Sequence, residues 1–544
     1  MDTSQVETPL LRILGEIPNP YKLSNALLAM EKLKSSNSRT TAPTTIRTTS
    51  KYVVFKPQTE KQADSLLTKT DLELFTYPLH LEIEGDLEEY REPSLSSPEQ
   101  PDWFYTVVKA NFQFPADIPY QVLEELYIPY DDENIANAQR EVLPEYEEWL
   151  DEFERQAEIA AGMSETETNQ RGGRWHPSGR IQVWDNTVGN NANGNMHPNI
   201  NRPIPVHGAK VRIRDGVLFF TTLTDANGNF RFSQSRRNRV HYGIVWERED
   251  YIIRDMSSIR RNTRFPAFLN GPKIKGEWNT IITDRKQSYF ATIHRAACDY
   301  YYHTPFGLDT PPKRHWWFGK GSILAYLRKQ RNDDYTGDFY STGPHYSGFY
   351  MRVFDADRPK IEIYATVIHE YAHASHWRLR ANGNIYGFNS LAFATQTRCE
   401  LRESWAIAAE WAITSYKYRF FLGGNQPFSY REGFRRTNRN SEEMQSGYTP
   451  FMIDLIDDDN QLFIFNPIIP DILPNDEVQG FSIKDCENAL RGVVNNFGDF
   501  YGRINALPTA SYQTNELAVL FNFYNTIQYS CGGSNQQPNT KGGE

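Results

Sequence analysis

The spacing of apolar residues changes along the chain, and each spacing predicts a different kind of secondary structure. From residue 143 to 161 apolar residues recur at helical spacing, which predicts a long acidic helix. Between 175 and 285 the period is two, with turn residues between short runs, a pattern typical of antiparallel strands. These runs lie at 181–184, 209–213, 219–223 and 230–232. Beyond residue 285 longer helical patterns dominate.

Together these patterns predict a multidomain α+β protein. Residues 35–50 are almost all Ser, Thr, Asn and Arg, a composition that cannot bury a core, and the last residues are rich in Gly, Asn and Gln. The predicted parts are a flexible N-terminal arm at 1–50, an N-terminal α+β domain of unknown role at 51–162, a β-sandwich at 175–285, a mainly α-helical domain at 286–531 and a disordered tail at 532–544.

The charge of the chain argues against a nucleic-acid partner. Its 544 residues carry a formal net charge of −10, and basic runs such as 236–239 are too short to form a basic face. No apolar run approaches the roughly 18 residues that a membrane span needs, so no transmembrane segment is expected. The first residues also lack the pattern of a signal peptide.

The cysteines are far apart and form no C-x-x-C pair, which argues against a structural zinc knot. Two disulfides, in any of three pairings, and free buried thiols both remain open. The four cysteines are Cys298, Cys399, Cys486 and Cys531.

One segment carries the residues expected of a catalytic metal site, His369-Glu370-Tyr371-Ala372-His373. Residues four apart on a helix share a face, so His369 and His373 can present two imidazoles to one Zn²⁺ ion. Glu370 lies on the adjoining side, from where its carboxylate can reach a water on the metal. The helix is expected to end at Asn382-Gly383.

A third zinc ligand is expected downstream, because hydrolytic zinc sites use three protein ligands. Residues 399–412 predict a helix that is apolar on nearly all sides, where a carboxylate is unfavourable unless it is paired or bound to metal. Glu403 is predicted as the third ligand, with Glu400 as the competing candidate. Glu410, seven residues after Glu403, shares its face and is predicted to accept a hydrogen bond from a ligand imidazole. His376, three residues after His373, either serves the site or packs at the helix end.

With these residues in hand, the chain resembles the gluzincins, a class of zinc metallopeptidases in which an HExxH helix supplies two histidines and a later helix a glutamate. The phrases at 368–377 and 403–406 look like those of predicted metallopeptidases among bacterial surface lipoproteins, over roughly residues 290 to 530. The resemblance implies a zincin-type metallopeptidase domain, a Zn²⁺ cofactor, and protein or peptide substrates. It also implies a secreted or cell-surface location, with any signal or lipid anchor outside this sequence.

The chain departs from the best-known gluzincins in the surroundings of the ligands. Those proteins carry an acidic residue four positions after the glutamate ligand, where this chain has Ile407. The class also stabilises its transition state with a Tyr or His downstream of that glutamate. Tyr448 is the candidate for this role, and Tyr430 is another.

The strand-rich region has a resemblance of its own. Residues 208–211 and 224–230 are similar to the carboxypeptidase regulatory-like sandwich, a transthyretin-type β fold. Such a module is expected to do no chemistry and to hold the peptidase in position or dock large substrates. The turn with Asp225, Asn227 and Asn229 is either a calcium site or a plain hairpin turn.

The predicted function is therefore zinc-dependent hydrolysis of peptide bonds, with Glu370 as the general base that later protonates the leaving amine. The alternative is a non-catalytic surface binding protein on a peptidase-like fold, although the intact Glu370 argues against it. The strand at 349–354, shortly before the motif helix, either pairs with an extended substrate or is an ordinary sheet strand.

Overall fold

The computed structural model confirms a mixed α+β chain with several sheets, and it divides into two compact units. The first unit comprises Met1–Ile181, His207–Trp246 and Ser258–Thr280, and the second comprises Gln182–Val206, Glu247–Ser257 and Ile281–Glu544. The structure describes residues 11–35, 45–69, 72–85, 87, 90–97, 100–132, 143–170, 173–187, 200–257, 265–304, 306–314, 319–329, 337–340, 349–382, 393, 396–419, 429–430, 439–465 and 472–530. The predicted disordered tail at 532–544 lies outside these residues.

The strands are β1 Arg12–Glu16, β2 Ser50–Phe55, β3 Leu81–Glu84, β4 Phe104–Lys109, β5 Tyr120–Leu126, β6 Ser178–Asp185, β7 Arg202–Pro205, β8 Lys210–Asp215, β9 Leu218–Leu223, β10 Asn229–Arg231, β11 Val240–Val245, β12 Tyr251–Asp255, β13 Phe268–Ile274, β14 Trp278–Ile282, β15 Gly321–Tyr326, β16 Gly337–Tyr340 and β17 Tyr350–Phe354. The helices are α1 Leu23–Ser35, α2 Glu60–Leu67, α3 Leu143–Ala160, α4 Glu165–Gln170, α5 Arg285–Tyr302, α6 Lys360–Arg380, α7 Cys399–Arg419, α8 Glu442–Gln445, α9 Phe451–Asp454, α10 Gln461–Phe465, α11 Ile483–Ala489, α12 Phe497–Ile504 and α13 Thr514–Asn525. Among these described helices, none is long and apolar enough to cross a membrane.

The N-terminal region differs from the flexible arm predicted for 1–50. Residues 23–35 form α1, which buries Ala26, Ala29, Met30 and Leu33 at helical spacing. These side chains share a hydrophobic cluster with Trp149 and other apolar residues of α3. The flexible arm was predicted from the polar composition of residues 35–50. That composition carries no information about the apolar face of α1, which precedes these residues in the sequence.

The first unit contains the strands predicted between 175 and 285, apart from β7, β12 and parts of β6 and β14. Four of them form an antiparallel sheet in the order β13-β11-β8-β9, and β10 pairs with the first half of β6. Aromatic rings from different strands pack together, because the ring centroid of Phe230 lies 5.9 Å from that of Tyr242 and 6.5 Å from that of Trp278. The carboxypeptidase regulatory-like identity of this region stays a prediction.

The polar stretch at 163–179, predicted as a domain boundary, does not separate two cores. A single buried cluster contains Tyr52 of β2, Tyr105 of β4 and Phe75, which bridges to Tyr105. The same cluster contains Leu218 of β9 and the preceding Val217. The polar, Gly-rich stretch predicted the boundary from composition. The packing instead joins the N-terminal sheet β4-β2-β5 and the strand-rich region in one unit.

The second unit is built around a four-stranded sheet in the order β12-β15-β17-β16. The pairs β12–β15 and β15–β17 are parallel, and β16 runs antiparallel to β17. The helix α6 packs against both α5 and α7, and it also contacts β16 and β17. Nearly every residue of α6 is buried, so this helix forms the centre of the unit.

The strand β12 makes a fragment that starts at residue 286 a poor folding unit. It lies within the range predicted as β-sandwich, yet it pairs with β15 from Tyr251↔Gly321 to Asp255↔Ala325. Without β12 the parallel edge of β15 is left unpaired. We expect the fragment 286–531 to be insoluble or to lack cooperative unfolding, as measured by circular dichroism. A soluble fragment with a sharp thermal transition would contradict this expectation.

Candidate metal centre

The helix α6 places two histidines one turn apart in the interior of the second unit. His369 and His373 are four residues apart and therefore share a face, and both are largely buried. The basic residues Arg378 and Arg380 in the last turn complement the helix dipole. After the helix, Asn382 adopts a positive φ of 49°, as expected of a residue that ends a helix.

The helix α7 runs antiparallel to α6 and brings a carboxylate to these histidines. Glu403 Oε2 lies 3.3 Å from Nε2 of His369 and 3.3 Å from Nε2 of His373. The two Nε2 atoms are 3.2 Å apart. On the same pair of helices, Trp405 Nε1 donates a hydrogen bond of 3.0 Å to the carbonyl oxygen of Ala372, which fixes the register.

The three donor atoms form a triangle that fits a zinc ion. In a tetrahedral site with metal–ligand distances of about 2.0–2.1 Å, ligand atoms lie about 3.3–3.4 Å apart. The triangle of His369, His373 and Glu403 has sides of 3.2, 3.3 and 3.3 Å. Two imidazoles and one carboxylate are also the ligand set of many hydrolytic zinc sites. Among the described residues this is the one His/Cys/Asp/Glu group of three that could hold a metal ion.

Glu410 and Glu400 differ in their relation to this group. Glu410 Oε2 accepts a hydrogen bond of 2.9 Å from Nδ1 of His369, two helical turns beyond Glu403. This bond leaves Nε2 of His369 free to face the other ligands. Glu400 is buried but forms an ion pair with Arg398 instead. The structure therefore brings Glu403, and not Glu400, to the histidines.

The electrostatics of the group are those of a site that exchanges a proton for a metal ion. Burial disfavours a charged imidazole, but hydrogen bonds with Glu403 and Glu410 outweigh it and raise the pKa of His369 to about 10. Burial leaves the pKa of His373 below its ordinary value, and the two histidines hold the pKa of Glu403 well below its ordinary value. A metal ion bound at Nε2 of His369 would have to displace the proton that this raised pKa favours, so we expect metal affinity to fall as the pH is lowered.

Glu370 lies beside the ligands on the same helix. Its side chain is buried, and its carboxylate lies close to Gly337 at the start of β16, which is also close to the side chain of Thr366. Gly337 and Thr366 were not identified from the sequence. No local pattern marks their proximity, because Gly337 approaches Thr366 and Glu370 only when β16 packs on α6.

The remaining candidates take different positions. The ring of Tyr448 stacks on that of His369 with centroids 6.3 Å apart, and 37% of the residue is exposed. Tyr430 is buried and its backbone N–H donates to Ser415. His376 is fully buried against Phe393 and is not part of the ligand group. Neither ring nitrogen of His376 has a hydrogen-bond partner in the described part of the chain.

The turn considered as a calcium site has its carboxylate engaged by the turn itself. Asp225 Oδ1 accepts hydrogen bonds from the backbone N–H groups of Asn227 and Asn229, at 2.9 and 2.8 Å. Gly228 follows with a positive φ of 78°. These contacts are those of a plain hairpin turn.

The cysteines are in two states. Cys298 and Cys486 are free and buried, whereas Cys399 at the start of α7 is disulfide-bonded. Cys531 lies outside the described residues.

Comparison with known protein families, with curated proteins and with solved structures finds no match for this chain.

Replacing Glu410 by Gln is expected to weaken zinc binding about 10- to 100-fold. The amide keeps the shape of the side chain but not the charge that strengthens His369 as a donor and fixes its tautomer. Competition with a chromophoric chelator measures the affinity, and thermal unfolding checks the fold. An unchanged zinc affinity would show that the hydrogen bond to His369 does not support the site.

Proposed function

We propose that this protein is a zinc metallopeptidase that hydrolyses peptide bonds. The observation that carries the proposal is the triangle of His369 Nε2, His373 Nε2 and Glu403 Oε2, whose sides of 3.2–3.3 Å match a tetrahedral zinc site. Glu370 adds a buried carboxylate next to this triangle. A purely structural zinc site needs no such carboxylate, because it fills all four positions with protein ligands.

Each residue of the site has a distinct task in this proposal. Bound zinc supplies a Lewis acid that lowers the pKa of water and polarises the scissile carbonyl. Glu370 accepts the proton of the attacking water and transfers it to the leaving amine. Glu410 orients His369 through Nδ1. Tyr448, partly exposed and stacked on His369, is the proposed hydrogen-bond donor to the developing oxyanion.

The strand order of the sheet favours β16, and not the strand at 349–354 suggested by the sequence, as the strand that pairs with substrate. The strand at 350–354, β17, is paired with β15 on one side and β16 on the other, so its edges are occupied. The strand β16 ends the strand order, and its outer side has no strand partner among the described residues. We propose that an extended peptide would pair along β16, which passes the carboxylate of Glu370 at Gly337.

A secreted or cell-surface location accompanies this proposal. The disulfide at Cys399 supports it, because disulfides persist mainly in oxidising compartments. The net charge of −10 supports protein or peptide substrates over nucleic acid.

The function is tested by measuring zinc content and hydrolysis together. Purified protein is expected to contain about one zinc per chain and to cleave a quenched fluorescent peptide library, with cleavage lost in a chelator and restored by added Zn²⁺. Zinc binding without any cleavage would favour the non-catalytic binding protein. Absence of both zinc and cleavage would overturn the proposal.

A further inference from the structure

Gly337, the first residue of β16, lies directly against the side chain of Glu370. A Cβ atom at this position would lie 2.8 Å from Oε1 and 3.1 Å from Cγ of Glu370, and 2.7 Å from Cγ2 of Thr366. Non-bonded carbon atoms normally lie about 3.5–4.0 Å apart. Any side chain at 337 therefore requires one of its neighbours to move.

The neighbours of Gly337 differ in how freely they can move. Thr366 is buried on α6, and its Oγ1 accepts a hydrogen bond of 2.9 Å from Nη1 of Arg358. Arg358 is held in turn, because its Nη2 donates to the carbonyl oxygen of Phe354 at 3.0 Å. Thr366 also has a branched side chain with few allowed rotamers on a helix.

Glu370, in contrast, places the far end of a flexible side chain against Gly337. Rotation about its side-chain bonds moves Oε1 without disturbing the helix backbone. The carboxylate of Glu370 is thus a group against which an added methyl at 337 presses directly. It is also the group on which the proposed hydrolysis depends.

We infer that Gly337 is a positioning residue whose missing side chain lets β16 pack on α6 and hold the Glu370 carboxylate in its working orientation. This inference rests on the proposed function for its effect on catalysis. The placement of the carboxylate does not depend on that function.

The test is the Gly337→Ala variant. We expect kcat to fall about 10- to 100-fold, because a shift of about 1 Å in a reacting group has effects of this size. KM and zinc stoichiometry should stay close to wild type, since neither the ligands nor the outer edge of β16 is altered. A variant with unchanged kcat would overturn the inference.

Gly321 provides a matched control in the same sheet. A Cβ atom there would lie 2.5 Å from the ring of Phe349, and its three nearest atoms all belong to that ring. Gly321→Ala should lower the melting temperature but leave kcat per folded molecule unchanged. An equal fall of kcat in both variants would assign the effect to general distortion of the sheet and overturn the inference.

A measurement without activity separates this inference from the proposed function. In a Glu370→Ala background the crowding atoms Oε1 and Cγ are absent, so Gly337→Ala should lower the melting temperature less than it does in wild type. A crystal structure of Gly337→Ala should show the carboxylate in a different rotamer. If wild type hydrolyses no peptide, the proposed function fails while these readouts still decide the placement. Equal melting shifts in both backgrounds, with an unmoved carboxylate, would overturn it.

Discussion

Replacing Glu370 by Gln is expected to reduce kcat about 10²- to 10⁴-fold while zinc content and thermal stability stay close to wild type. The amide matches the carboxylate in size, so the packing against Gly337 is kept. The amide oxygen, however, cannot take a proton from water at neutral pH. The proposed mechanism loses its general base, whereas the ligands His369 and His373 are untouched.

The control for this variant is Glu362→Gln on the same helix. Glu362 lies in the first turn of α6, two turns before Glu370, and its exchange removes the same charge. It should leave kcat unchanged. Turnover is measured on a peptide that wild type cleaves, with zinc determined in the same samples by elemental analysis. Wild-type turnover in the Glu370→Gln variant would contradict the role of Glu370 as the general base.

Replacing Glu403 by Ala is expected to abolish stoichiometric zinc binding, with an affinity loss of more than about 100-fold. Loss of a residue that merely supports a ligand weakens metal sites by about 10- to 100-fold, and loss of a ligand should exceed this. Glu403 Oε2 is 3.3 Å from both histidine nitrogens, so no other carboxylate of α7 can take its place without moving the helix. Hydrolysis should disappear together with the zinc.

Glu400→Ala is the matched control, because it removes an identical side chain three residues away on α7. Glu400 is paired with Arg398, so its loss should affect stability more than zinc content. Both variants are compared by elemental analysis and by chelator competition on folded protein. Full zinc occupancy in Glu403→Ala together with zinc loss in Glu400→Ala would reverse the ligand assignment.

Local patterns in the sequence predicted much of the secondary structure. The helix predicted for 143–161 is α3 at Leu143–Ala160, and the four short runs between 181 and 232 coincide with β6, β8, β9 and β10. Such elements follow from periodicity, because side chains repeat with the geometry of the backbone. The domain boundaries could not be predicted in the same way, as β12 and α1 show. Composition indicates which residues are exposed, but not the partner on which a segment packs.

The sequence by itself determined that His369 and His373 lie on one face of a helix with Glu370 beside them, because spacing within one helix is fixed by its geometry. Only the tertiary structure decided between Glu403 and Glu400 as the ligand. Both lie on α7, but Glu403 lies on the side of that helix that contacts His369 of α6, whereas Glu400 pairs with Arg398. The same holds for the approach of Gly337 to Glu370, which depends on where an edge strand packs on that helix. Distances between segments that are remote in sequence are set by packing, and no local spacing of residues encodes them.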